Sequence, residues 1–167
     1  RNAVRPLRGS SDVFATRMKT SAPSAPVMNH LRPCTTQRSP RRVAVGFESS
    51  RLALLLAVLH RHGGISTSGQ DVFVNVVGGV RIGETAADLP AVLAVFSSLR
   101  NRPVATDMVC FGELGLTGEI RPVPFGEERL REAVKQGFRR ALVPKGNMPR
   151  NALEGLDVTG VSRLDQA

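Results

Sequence analysis

By type alone, two cysteines, three histidines and an adjacent pair of serines could carry nucleophilic, acid–base or metal chemistry in this chain. Cys110 is a conceivable nucleophile, but it stands among Met108, Val109 and Phe111, where a thiol is expected to be buried and inert. Cys34 and Cys110 make neither a disulfide framework nor a CxxC zinc pattern, as in a reducing compartment, and no metal site is expected. His60 and His62 close a helix without Asp, Glu or Cys at ligand spacing, so they read as helix-end cations. Ser97 and Ser98 read as helix-face residues, and His30 falls in a stretch without hydrophobic period. A Gly-x-x-x-x-Gly-Lys-Thr phosphate loop and a four-cysteine zinc ribbon are both missing from the sequence.

Composition narrows the field further. A chain of 167 residues with 41% hydrophobic content can bury one core of ordinary size, so one domain plus a tail is expected. Trp and Tyr are absent and only seven Phe are present, which leaves few stacking platforms for single-stranded bases. No apolar run approaches the roughly 20 residues needed to cross a bilayer. The basic N-terminus also lacks the apolar block of a secretory signal. A soluble, cytoplasmic protein without a membrane partner is expected. The net charge of +9 is concentrated: residues 1–42 hold nine Lys or Arg against the single acid Asp12, and residues 43–167 hold fourteen against thirteen. The basic excess therefore belongs to the tail.

The elements that must position any site begin at Arg41. Residues 1–40 are rich in Ser, Thr, Pro and Arg, with Ser21-Ala22-Pro23-Ser24-Ala25-Pro26 resembling a linker, and they read as a disordered basic tail, either an arm for nucleic acid or a solvated end. Residues 43–47 predict a strand and 48–60 a helix, whose Leu52, Leu55, Leu56 and Leu59 form a stripe. Ala53, Leu54, Ala57 and Val58 leave that helix almost no polar face, so it should be buried in the domain or against another subunit. Residues 72–77 predict a strand, and 86–100 a helix capped by Thr85 or Asp88. Residues 108–111 and 118–123 predict two strands of one β-ribbon joined by a Gly-rich turn at 113–117. An amphipathic helix over 127–136 with Gly137 as its C-cap follows, then strands over 141–144 and 157–161.

The stretch Leu116-Thr117-Gly118-Glu119-Ile120-Arg121-Pro122-Val123 and the Pro144 to Asn147 segment resemble the Leu-Thr-Gly-Glu-Ile, Val-Leu-Pro and Pro-x-x-Asn segments of Lon-type proteolytic domains. Over about Arg41 to Arg150 the chain resembles, within that group, the C-terminal Lon protease-like domain of the bacterial RadA (Sms) family of DNA repair proteins. The resemblance implies an α/β (α+β) fold of the ribosomal protein S5 domain 2-like kind over residues 41–167. Lon-type peptidases use a serine activated by a neutral lysine amine. Glu84-Thr85-Ala86-Ala87-Asp88 puts Ala86 at the serine's place, and Glu127-Glu128-Arg129-Leu130 puts Arg129 at the lysine's. A methyl group cannot attack a carbonyl and a guanidinium stays protonated, so on this register the chain is expected not to be an enzyme. An ATP-dependent serine peptidase with an unrecognised nucleophile is the alternative.

With chemistry removed, surfaces remain. The resemblance implies a homohexameric ring, DNA contact in repair and branch migration, and a RecA-type recombinase as a further partner. It implies ATP, Mg and Zn only for a full-length relative, with no cofactor in this chain. Arg121, Lys135, Arg139, Arg140, Lys145 and Arg150 fall near the ends of neighbouring elements and are candidates to gather on one rim as phosphate contacts, though each could equally be a solvated cation.

Overall fold

β-Branched residues and short apolar runs bounded by glycine make the strands, and each parallel pair requires a crossover long enough to return the chain. The computed structural model describes residues 39–167; the tail expected over 1–40 lies almost wholly outside them. Strand β1 (Arg42–Val45) leads into helix α1 (Ser49–His62), which returns the chain to β2 (Val72–Asn75), parallel to β1 from Arg42 opposite Val72 to Val45 opposite Asn75. A 3-10 turn at Thr85–Ala87 runs into α2 (Asp88–Arg100). Strands β3 (Met108–Cys110), β6 (Arg140–Pro144) and β7 (Asp157–Val161) form a second parallel sheet with β6 in the middle. A hairpin of β4 (Glu113–Leu114) and β5 (Ile120–Arg121) and helix α3 (Gly126–Lys135) connect β3 to β6. The architecture is mixed α/β with parallel sheets.

Two apolar clusters hold these layers. In the first, Leu52, Leu55, Leu56 and Leu59 of α1 meet Leu89, Val92 and Val95 of α2, with Val72 and Val74 of β2 beneath them. In the second, Leu130 and Ala133 of α3 pack on Val109, Phe111, Ala141 and Val143 of the three-stranded sheet. Burying each large aliphatic side chain contributes about 1.5–3 kcal/mol.

Helix α3 ends as its sequence requires. Gly137 takes φ +85°, and Phe138 N–H donates to the Ala133 carbonyl at 3.0 Å while Gly137 N–H donates to Val134, a paired closure that a side chain at position 137 would strain.

Several expectations are corrected. The run from Met108 does not form a ribbon with residues 118–123; β3 joins β6 instead, and the hairpin is made only by residues 113–114 and 120–121. Long-range parallel pairing outcompeted the local turn. Helix α1 runs to His62, and of the two expected ways to bury it, within the domain or against another subunit, the domain alone leaves Ala53, Leu54 and Ala57 exposed, Leu54 by 49%. Neither Thr85 nor Asp88 caps α2, which receives no side-chain cap, and Pro90 fits the first turn, where no backbone donor is needed. Among the described residues no helix is long and apolar enough to cross a membrane.

Candidate functional site

The turn at Thr85–Ala87 and the first residues of α3 are brought together by the second apolar cluster, which contains Ala86, Phe111 and Leu130. The turn is tied to the end of β3: Gly112 N–H donates to the Ala86 carbonyl at 2.9 Å, and Leu89 N–H donates to the Gly112 carbonyl at 3.1 Å. Arg129 enters the same neighbourhood from α3 with its side chain almost wholly buried. Its Nε donates to the Pro124 carbonyl at 3.1 Å, its guanidinium lies 5.8 Å from the Phe111 ring centre, and Nη2 pairs with the carboxylate of Glu84, two residues before Ala86. Glu84 and Arg129 are thus paired, and Ala86 lies in the same apolar cluster as the Phe111 ring that Arg129 faces. As side chains Ala86 and Arg129 offer a methyl group and a cation already engaged on three sides, which supports no proton exchange between them.

A second buried pair lies beside it and was not anticipated. Asp88 is 1% exposed, and Arg51 of α1 grips it with Nε on Oδ1 at 2.8 Å and Nη2 on Oδ2. Leu114 N–H donates to the same Oδ2 at 3.1 Å, so one carboxylate joins α1, α2 and the hairpin. The hydrogen bond to Asp88 raises the Arg51 guanidinium above its ordinary value, against the opposing effect of burial. The signal was present in the sequence: Arg51, Leu55 and Val58 share one helical face, and Leu55 and Val58 are buried. A charge on a core stripe requires a partner.

The six basic candidates do not share one rim. Arg139 and Arg140 stand at the start of β6 and Lys145 just past its end, a separation of about 20 Å at the usual strand rise. Arg140 is held by Asp107 at 2.6 Å, Lys135 by Glu132 at 3.4 Å, and Arg121 by Glu119 and by Glu113 at 3.7 Å. Arg139, Lys145 and Arg150 make no ion pair among the described residues.

Of the other residues whose types could carry chemistry, His30 and Cys34 lie outside the described residues. The Cys110 residue is half-buried, and desolvation pushes its thiol up to about 12, which disfavours the thiolate near neutral pH. Ser97 Oγ donates to the Arg102 carbonyl at 2.5 Å, closing the end of α2. His62 Nε2 lies 3.1 Å from the Leu116 carbonyl, and His60 is exposed.

Comparison with known proteins agrees with the resemblance in part. A family described as subunit ChlI of Mg-chelatase matches residues 42–147. The chain is similar to the DNA repair protein RadA of Pseudomonas aeruginosa, 51% identical over 177 residues that cover 98% of this chain and 39% of that protein. It is 63% identical to the Escherichia coli RadA over 129 residues, 77% of this chain and 28% of the relative, and 39% identical to the Bacillus subtilis RadA over 134 residues, 80% and 29%. The chain therefore spans well under half the length of these relatives, and the Pseudomonas similarity reaches into residues 1–40. These matches correct the expectation of a non-enzymatic chain, because the family and the relatives point to an ATPase-type region. Ala86 and Arg129 speak only to peptide hydrolysis by a serine and lysine pair.

Proposed function

Because the chain belongs to the family described as subunit ChlI of Mg-chelatase and is RadA-like, we propose that it serves DNA repair as a Lon-type domain, formed by residues 41–167, through which a RadA-type protein assembles and contacts DNA. The observation that supports this reading is the pairing of Arg129 with Glu84 beside Phe111 and Ala86, since it brings together two segments matched separately along the sequence. Assembly is supported by Val43, Val45 and Leu54, apolar side chains left 40%, 57% and 49% exposed. The assembly is proposed as a homohexameric ring in the bacterial cytoplasm, with a RecA-type recombinase as a partner and branch migration as the process served. DNA contact is assigned first to Arg139, Lys145 and Arg150, which make no ion pair among the described residues; Arg121, Lys135 and Arg140 contribute after release from theirs.

Light scattering and DNA-binding anisotropy across a salt series test both halves. The expected result is a mass above the monomer and an affinity that falls with salt, with Lys145→Glu reducing the slope by about 0.9 per lost phosphate contact. A strict monomer without salt-sensitive affinity overturns the reading.

A further inference from the structure

Strands β1 and β2 form a two-stranded layer that α1 covers on one side only. Alternation along the strands turns Ala44, Val72 and Val74 toward Leu52, Leu55 and Leu59 of α1, and turns Arg41, Val43, Val45, Asp71, Phe73 and Asn75 away from it. Arg41 pairs with Asp71 at 3.4 Å and holds its guanidinium 5.9 Å from the Phe73 ring centre, so these residues share the outward face. On the other side of the layer, the buried leucines of α1 leave Ser50, Ala53, Leu54, Ala57 and Arg61 exposed along one stripe at spacings of three and four residues.

One layer therefore carries two uncovered apolar strips that point in opposite directions, and the strips match in order and in length. Helix α1 runs back along β1, so its C-terminal end lies at the start of the strands. From that end the sheet shows the Arg41–Asp71 pair, then Val43 beside Phe73, then Val45 beside Asn75. The helix shows Arg61, then Ala57, Leu54 and Ala53, then Ser50. Arg41 to Val45 spans about 13 Å at the usual strand rise, and Ser50 to Arg61 about 16 Å along the helix. Laid on each other in the same sense, the strips set a carboxylate against Arg61, apolar groups against apolar groups, and Asn75 against Ser50. Two helix strips laid together bring no carboxylate to Arg61. Contacts between like faces also close at two copies, whereas a ring needs unlike faces that meet head to tail.

We propose that copies of this chain join head to tail through this layer: the outward face of β1 and β2 in one copy seats on the outward strip of α1 in the next. Val43, Val45 and Phe73 then cover Ala53, Leu54 and Ala57, and Asp71 reaches Arg61. The junction rests on the assembly proposed above and names the two surfaces that meet in it. The occupant of each face is a second copy of this chain, and neither face includes a proposed DNA contact.

The test is thiol cross-linking of the full chain in a Cys34→Ser background with a short bismaleimide. The double variant Val45→Cys, Leu54→Cys should give a ladder of covalent multimers, while each single variant stays at the mass of one chain. Independently, Val45→Asp and Leu54→Asp, both at exposed positions, should each lower the light-scattering mass toward the monomer with the far-UV circular dichroism unchanged. Covalent dimers from Val45→Cys alone would mean sheet against sheet, and from Leu54→Cys alone helix against helix; either overturns the junction. So does an oligomeric, DNA-binding chain whose mass neither aspartate variant changes, a result that leaves the proposed function standing. A monomeric wild type that still binds DNA overturns it as well, the two faces then belonging to a different partner. A strict monomer without salt-sensitive DNA affinity removes the junction and the proposed function together.

Discussion

Two arginine–carboxylate pairs sit close in this fold and are built in opposite senses. In the Arg51–Asp88 pair the acid is sealed, 1% exposed, and the arginine reaches water at 30%; in the Arg129–Glu84 pair the arginine is sealed at 6% and the acid is 46% exposed. The sealed member decides what each pair does. Asp88 has three hydrogen bonds and ties two helices to a hairpin, so it is a structural joint. Arg129 has a carbonyl and an aromatic ring in addition to its carboxylate, so it fills a pocket and depends less on its partner.

The contrast is broken most directly by removing the solvent-facing member of each pair. Arg51→Ala leaves a buried carboxylate with only the Leu114 N–H, and a loss of about 3 kcal/mol is expected in urea unfolding, the low end for breaking a buried pair because Arg51 reaches water. Glu84→Gln leaves Arg129 its carbonyl and ring, and less than about 1 kcal/mol should be lost, since the carboxylate removed is half solvated. Equal losses would erase the distinction. Leu130→Ala, which opens a cavity at a fully buried position beside Arg129, should cost about 2–5 kcal/mol, comparable with Arg51→Ala. Leu54→Ala on the uncovered side of α1 should cost under about 0.5 kcal/mol in the isolated subunit. A larger loss that grows with protein concentration would show that this face is covered by another copy.

How much of this was legible follows the range of each interaction. The Leu52 to Leu59 stripe, the Gly137 closure and β7 over 157–161 are local patterns, and the structure has them in place. The pairing of Glu84 with Arg129 joins two segments that no local rule relates. The pairing of β3 with β6 was not legible, since Met108 and Arg140 lie far apart in sequence and the nearby Gly-rich turn offered a plausible local partner. Arg51 with Asp88 was half legible: the stripe position marked Arg51 as needing a partner, but no sequence rule selects which carboxylate. The apolar character of Leu54 was plain, whereas its exposure depends on what packs against α1. The division of the basic residues also follows from tertiary placement, because Arg139 and Lys145 bracket a strand and must point to opposite ends of it.

The smallest effect sharpens the comparison from outside both pairs. Glu119, on the hairpin that Asp88 anchors, is half-buried and is held at about 2 chiefly by its hydrogen bonds from Thr117, with Arg121 adding to them. Its folded value lies below the ordinary carboxylate value, so its contribution is present above that value and is lost as pH falls toward about 2. An NMR titration should follow the Glu119 carboxyl to that low midpoint, with Thr117→Ala moving it upward while the Arg51–Asp88 joint stays intact. If instead the Leu114 amide resonance shifts together with Glu119, the hairpin is not anchored independently of its tip, and the sealed carboxylate is not the joint that its burial implies.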